Sequence, residues 1–279
     1  MFRSKQIRTA IVEGVCDKRF LSQWVSAGAP IRFDGFDGKS LVNLAYTKSR
    51  MKPYSDFDFL CFFADIDFDV IVKQPLINHP CYIYNAFCFE EDRLYYNDLE
   101  TYLINTTAFE KVLVNLDVDV NEADSLRKRL ERASRVTGSL RAADILVQRA
   151  NGLRLSVLNG LEIRSFFNSR DITFNEDELF KALPRWSNYR EYTDDLIEVA
   201  KRLDRELPTD WSLSRGHDLT EMLALYLEHH GQRGMAAEKL ELMLRLACER
   251  SEFQRSPMGR RLATLGIAAM EPQSKASEG

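Results

Sequence analysis

The chain has 279 residues, of which 45% are hydrophobic and 29% are charged, so it can bury one large core or two modest ones. Its formal net charge is −4 and its isoelectric point is near 5.7, which argues against a protein that coats nucleic acid through its overall charge. No stretch approaches the roughly 18 apolar residues of a membrane helix and the amino terminus lacks the apolar segment of a signal peptide, so we expect a cytoplasmic protein.

The first hundred residues alternate short apolar runs with segments of helical periodicity. The apolar runs predict four strands, at residues 9–14, 31–36, 57–67 and 80–89. Helices are predicted between and after them, at residues 17–30, 39–51 and 97–104. The third run is nearly continuous, as expected of a central parallel strand that is covered on both faces. Alternating strands and helices predict a Rossmann-like α/β domain with a mostly parallel sheet.

Beyond residue 120 the strand signals fade and helical periodicity takes over. Apolar residues from Leu126 to Ala143 recur every three or four positions, which predicts one long amphipathic helix or two shorter ones. Further helices are predicted at residues 176–183, 189–207, 219–230 and 236–250. We therefore predict an α/β domain at residues 1–115, an all-helical domain at 116–270 and a disordered polar tail at 271–279.

Acidic residues directly follow two of the predicted strands. Glu13 follows the first strand, and Asp65 and Asp67 follow the third. Ligands of open α/β sheets bind outside the carboxyl ends of the strands. A strand turns residues i and i+2 to one face, so we expect Asp65 and Asp67 to point together, with Asp69 joining them if the strand continues.

Crowded carboxylates repel one another, and a divalent cation relieves that repulsion. Oxygen ligands suit Mg²⁺ or Mn²⁺, whereas the five cysteines show no metal-ligand spacing. Such a cation accepts phosphate oxygens and activates water, which suits a phosphodiester substrate. Glu13 can act as a general acid or base or as a second ligand, and Gly14 lets a phosphate approach the backbone.

These residues carry a resemblance to a known family. The string IVEGVCDKRFL at residues 11–21 resembles the opening of the Toprim domain, and FFADIDFD at 62–69 resembles its Asp-x-Asp motif. The chain is similar to the small Toprim proteins that are paired with an ABC-type ATPase in PARIS-type anti-phage defence. The Toprim likeness covers roughly residues 8–105, and a fainter one, through NDLETYLI and RGHDL, reaches Asp218.

The resemblance implies a Toprim nuclease with a Mg²⁺ or Mn²⁺ cofactor. Glu13 would be the catalytic acid or base, and Asp65 and Asp67 would be metal ligands. It also implies further metal-site acids at Asp69, Asp17 and Glu100. The protein would be a defence effector that cleaves RNA, including tRNA, or DNA, and that an ABC-type ATPase restrains. The sequence leaves open whether the protein forms a homodimer.

Several of these residues also have purely structural interpretations. Asp17 can be the N-cap of the first helix. Glu100 can complement a helix dipole, with Asn97 or Asp98 as the cap. Asp218 and Glu221 have the spacing of a capping box, beside which His217 can still reach a substrate.

A basic segment interrupts the acidic background of the chain. Residues 127–154 contain eight basic and two acidic side chains, which predicts an exposed basic surface on the long helix. Arginine pairs well with phosphate. The residues predicted to bind nucleic acid are Arg127, Lys128, Arg132, Arg135 and His217. Solvated helix faces, or docking on an acidic partner, are the alternatives.

Two other functions fit the same motifs. A haloacid-dehalogenase-like phosphatase would use Asp65 and Asp67 as its Asp-x-Asp motif, with Asp65 phosphorylated. That motif usually lies on the first strand, and the threonine or valine expected after it is replaced by Phe68-Asp69. A non-catalytic Toprim interaction module would keep the fold for complex assembly and would lack catalytic activity.

Overall fold

A computed structural model describes residues 7–25, 28–88, 93–94, 96–207 and 211–266. These residues form two compact units. The first contains the described residues up to Asp65, those of 77–91 and those from Glu249 onward, and the second contains 66–76 and those of 92–248. This division differs from the predicted boundary at residue 115, and the predicted tail lies outside the described residues.

The first unit is built on a four-stranded parallel sheet. The strands are β1 (Arg8–Val12), β2 (Ile31–Gly35), β3 (Leu60–Ala64) and β4 (Tyr82–Tyr84), in the order β2-β1-β3-β4. Helix α1 (Val15–Ser22) follows β1, and helix α2 (Lys39–Ser49) follows β2. β4 and most of β3 are buried, as the apolar runs predicted. The α/β class is therefore confirmed.

The strand order has a reversal point. The chain passes from β1 to β2 on one side and then to β3 on the other side of β1. In open α/β sheets the crevice for ligands lies outside the carboxyl ends of the strands at such a reversal. Residues that directly follow β1 and β3 therefore stand at the position where a ligand is expected.

The second unit is mainly helical. Its helices are α3 (Leu99–Ile104), α4 (Thr107–Asn115), α5 (Ala123–Ala150), α6 (Glu176–Ala182), α7 (Thr193–Glu206), α8 (Gly216–His229) and α9 (Ala237–Ala247). The long amphipathic segment is one helix of 28 residues. The short strands Phe167–Asn168 and Thr173–Phe174 pair in an antiparallel hairpin. Of the helices described, none is long and apolar enough to cross a membrane.

Two short carboxyl-terminal helices, α10 (Arg250–Arg255) and α11 (Pro257–Thr264), belong to the first unit. Phe253 of α10 stacks on Trp24 with ring centroids 4.7 Å apart and meets Phe20 edge-on at 5.6 Å. These aromatic contacts join residues more than two hundred positions apart, so local periodicity does not reveal them. They explain why the end of the chain packs with the sheet.

Candidate functional site

Glu13 and Asp65 meet at the reversal point of the sheet. Glu13 directly follows β1 and Asp65 directly follows β3, and both are half-buried. The backbone N–H of Asp65 donates to Oε1 of Glu13 at 2.8 Å. The two acids are 52 positions apart in the sequence, and strand pairing brings them into contact, as the sequence predicted.

Asn85 adds a third side chain to this cluster. It directly follows β4, and its exposed fraction is only 2%. Its Nδ2 donates to Oδ1 of Asp65 at 2.8 Å and approaches Oδ1 of Asp17 at 3.5 Å. Sequence reasoning missed Asn85, although its position after β4 matches those of Glu13 after β1 and Asp65 after β3.

The amide oxygen of Asn85 is the unusual atom of the cluster. Oδ1 is buried and has no hydrogen-bond partner within the described part of the chain. An unsatisfied buried acceptor costs roughly 1–3 kcal/mol, so such an atom calls for a physical explanation. Amide oxygens are among the oxygen ligands that hard cations accept.

Asp17 lies in the first turn of α1, but it does not cap the helix. The N-cap of α1 is Gly14, which has an extended backbone and no side chain to offer. The N-cap interpretation of Asp17 is therefore wrong. A Cβ at Gly14 would lie 3.5 Å from Oδ2 of Asp17, so this carboxylate stands beside the Glu-Gly turn. The positive end of the helix dipole favours a negative charge there.

Asp67 and Asp69 do not continue the strand. β3 ends at Ala64, and Asp67 has a left-handed backbone with φ of 51°. The expected alternation of Asp65, Asp67 and Asp69 along one extended strand is therefore wrong. The N–H of Asp67 instead donates to the carbonyl of Asn97 at 2.8 Å within the second unit.

The cluster has the donor chemistry for a hard cation. Among the residues described, no three His, Cys, Asp or Glu side chains already stand at metal-ligand spacing. In this arrangement Oε1 of Glu13 accepts from a backbone N–H, and the Asn85 amide lies against both aspartates. Three carboxylates and the unsatisfied Asn85 oxygen nevertheless fit the oxygen-only preference of Mg²⁺ or Mn²⁺.

Glu100 is held in an ion pair of the second unit. Its Oε1 is 3.2 Å from Nη1 of Arg245, and both side chains are buried. Asp98 is the N-cap of α3, accepting from the N–H of Thr101 at 2.9 Å, and it also accepts from Gly216 at 2.6 Å. Burial raises the pKa of Asp98, and the charge of Asp67 adds to the effect. The interpretation of Glu100 as a first-turn acid is confirmed, and its metal role stays a prediction.

His217 forms a pair with Glu241 near the start of α8. Its Nδ1 is 2.8 Å from Oε1 of Glu241, while the His217 side chain is 58% exposed. The hydrogen bond to Glu241 raises the pKa of His217 to about 9. The capping-box interpretation is wrong, because α8 begins at Gly216 and Asp218 accepts two hydrogen bonds from Arg141, at 2.8 and 2.9 Å.

We expect His217→Ala to lower the free energy of unfolding in a pH-dependent way. The folded pKa of His217 lies above the roughly 6.5 of an unfolded histidine. Its contribution is thus complete below about pH 6.5 and is lost as the pH rises through about 9. Because the imidazole is mostly exposed, we expect only about 1 kcal/mol near pH 6.5. Urea unfolding at pH 6.5 and pH 10 measures this, and an equal loss at both values would contradict it.

Two of the predicted nucleic-acid-binding arginines point inward. The Arg127 side chain is 13% exposed, donates to the carbonyl of Ile104 at the end of α3, and forms an ion pair with Glu110 at 2.6 Å. Arg135 is 15% exposed and donates to the carbonyls of Asp204 and Leu207, at the end of α7. Helix ends leave such carbonyls without helical partners. The predicted exposed basic surface is therefore wrong for these two residues.

For Lys128 and Arg132 the predicted exposure is confirmed. Both residues are exposed and lie one turn apart on α5. Both side chains carry the positive charge that contacts to phosphate oxygens use. Their binding of nucleic acid stays a prediction.

No family model and no curated protein matches this chain.

The arrangement allows a specific kind of chemistry. Carboxylates at the reversal point of the sheet are groups that transfer protons or coordinate cations in proteins. Gly35 packs against the Glu-Gly turn so closely that a Cβ there would lie 3.0 Å from the carbonyl oxygen of Gly14. A side chain at Gly35 would therefore collide with the backbone of this turn, which explains why a glycine stands at the end of β2.

Proposed function

We propose that this protein is a Mg²⁺- or Mn²⁺-dependent Toprim endonuclease that hydrolyses nucleic-acid phosphodiesters. The observation that carries the proposal is the contact of Glu13 with Asp65, at 2.8 Å, beyond the carboxyl ends of two neighbouring parallel strands. The Toprim-like Glu-Gly and Asp-x-Asp strings supply both acids. A general acid or base next to a cation ligand is what phosphodiester hydrolysis requires.

Each residue of the cluster has a role in this proposal. Asp65 and Asp17, both of the first unit, would hold the cation. The metal roles of Asp67, Asp69 and Glu100, which the resemblance implies, stay predictions. When bound, a divalent cation lowers the pKa of a water and stabilises charge on the phosphate. Glu13, whose carboxylate is oriented by the Asp65 N–H, is the group to which we assign proton transfer.

The start of α1 supports phosphate binding. Its N-cap is a glycine without a capping side chain, and the helix dipole favours negative charge at this end. Because Asp17 lies in this same turn, a cation held there would offset its negative charge and allow a substrate phosphate to bind beside it.

The biological setting follows from the resemblance to PARIS-type effectors. An ABC-type ATPase would restrain the nuclease until infection, and the substrate would be RNA, including tRNA, or DNA. Expression of the chain alone and together with such an ATPase tests this setting. We expect toxicity from the chain alone and relief of toxicity with the partner, whereas equal growth in both cultures would contradict it.

The activity itself is tested by incubating purified protein with total RNA and with plasmid DNA, in Mn²⁺, Mg²⁺ or EDTA. We expect cleavage of one substrate with either cation and none with EDTA. Cleavage that persists unchanged in EDTA would contradict a metal-dependent mechanism. A phosphorylated Asp65, trapped without any nucleic-acid cleavage, would support the phosphatase instead.

Lys128 and Arg132 are expected to contribute to nucleic-acid affinity. We expect the double variant Lys128→Glu/Arg132→Glu to bind single-stranded RNA or DNA about tenfold more weakly at low salt, with a shallower salt dependence. Arg170→Glu/Lys181→Glu, at two other exposed basic residues, is the matched control with the same change of net charge. Filter binding at several salt concentrations measures the change. If the double variant binds with unaltered affinity, these two residues do not contact the nucleic acid.

A further inference from the structure

Asn85 is the one polar side chain of the candidate site that is almost completely buried. Its exposed fraction is 2%, whereas Glu13, Asp17 and Asp65 are half-buried. One end of its amide, Nδ2, contacts both aspartates, and the other end, Oδ1, has no partner among the described residues. The donor end is therefore used and the acceptor end is not.

We propose that Asn85 is an exchangeable cation ligand of this site. Its amide N–H₂ occupies the position between Asp65 and Asp17 while no cation is bound, and its Oδ1 replaces the N–H₂ there when a cation binds. This inference rests on the proposed metal-dependent function and assigns a residue that the Toprim-like strings do not contain.

The negative charges of Asp65 and Asp17 explain why the N–H₂ group of Asn85 faces them in the cation-free orientation. Two carboxylates that approach the same amide repel one another in a partly buried environment. The Nδ2 atom offers two hydrogens, which is enough to donate to Oδ1 of Asp65 and toward Oδ1 of Asp17. The amide thus offsets the repulsion without a cation. In this orientation the acceptor Oδ1 has no hydrogen-bond donor among the described residues.

The shape of the amide explains how Oδ1 can take the place of the N–H₂ group when a cation binds. The oxygen and the NH₂ group of asparagine are nearly equal in size and differ mainly in hydrogen-bonding role. A half-turn about the terminal side-chain bond exchanges them, and that bond has a broad twofold preference. The exchange puts an oxygen toward two carboxylates, which is unfavourable alone and favourable around a hard cation. Cation binding and amide orientation are thereby coupled.

Two variants separate this role from a purely structural one. Asn85→Leu has a similar volume but neither donor nor ligand. If Asn85 only competes with the cation, Asn85→Leu must bind Mn²⁺ more tightly than the unaltered protein. If Asn85 supplies a ligand, it must bind more weakly. Asn85→Asp keeps a ligand oxygen and adds a negative charge, so we expect affinity equal to or above that of the unaltered protein.

Calorimetric titration of the full chain with Mn²⁺, after removal of cations with EDTA, is the test. We expect Asn85→Leu to lower affinity at least about tenfold, Asn85→Asp to keep or raise it, and the exposed-residue control Asn115→Leu to leave it unchanged. Equal or tighter binding by Asn85→Leu overturns the inference. If that variant does not fold, weaker binding by Asn85→Asp overturns it instead.

The same titration distinguishes this inference from the proposed function. An unaltered protein that binds no Mn²⁺ overturns both. An unaltered protein that binds Mn²⁺ and cleaves nucleic acid, alongside Asn85 variants of unchanged affinity, overturns the role of Asn85 alone.

Discussion

Glu13→Gln and Asp65→Asn are each expected to lower the rate of cation-dependent cleavage by at least about a thousandfold while the protein stays folded. Both substitutions replace a carboxylate by an amide of the same shape. The backbone N–H of Asp65 keeps an oxygen acceptor at position 13 in both variants, so the 2.8 Å contact need not break. What disappears is the negative charge that binds the cation or takes up the proton.

Single-turnover cleavage measures this loss, and circular dichroism with thermal unfolding checks the fold. Asp58→Asn is the matched control, because Asp58 is an exposed aspartate just before β3, at the opposite end of the strand from Asp65. We expect the control to cleave at the normal rate. If both site variants cleave within about threefold of the unaltered rate, Glu13 and Asp65 do not take part in catalysis.

Gly138→Ala is expected to destabilise the second unit by about 3–5 kcal/mol or to prevent its folding. Gly138 lies inside α5, and an added Cβ would sit 1.5 Å from the carbonyl oxygen of Leu213 and 2.6 Å from its carbonyl carbon. Both atoms belong to the backbone, so no side-chain rotation relieves the overlap. Ser134, one turn earlier, contacts Ser214 at 2.6 Å between their hydroxyl oxygens, which holds this segment against α5.

Urea unfolding measures the loss of stability, with Gly152→Ala as the control. Gly152 has a positive φ of 59° but open space where its Cβ would be. It should therefore lose only about 1 kcal/mol. A Gly138→Ala protein as stable as this control would show that α5 and the segment around Leu213 do not approach so closely.

The elements that carry the candidate site follow from local sequence patterns. The run before Asp65 is apolar enough to require burial on both faces, and β1 ends at Val12, just before the Glu-Gly turn. Parallel strands then bring their carboxyl ends to one edge of the sheet, so the meeting of Glu13 and Asp65 could be predicted from their positions alone.

The parts that the sequence did not reveal depend on nonlocal contacts. Asn85 joins the cluster only because β4 pairs beside β3, and an asparagine after an apolar run is an ordinary turn signal. Arg127 and Arg135 look like surface charges on a helix, but the ends of α3 and α7 supply the carbonyls that draw them inward. β3 ends at Ala64, and the left-handed backbone of Asp67 three residues later is not visible in an alternating acidic pattern.

The central claim is that carboxylates from two neighbouring strand ends hold one divalent cation. Anomalous X-ray scattering from crystals grown with Mn²⁺ locates such an ion directly. We predict one Mn²⁺ within coordination distance of carboxylate oxygens of Asp65 and Asp17, next to Glu13, and no such ion in crystals of Asp65→Asn. Mn²⁺ bound only elsewhere, or undiminished occupancy in Asp65→Asn, would contradict it.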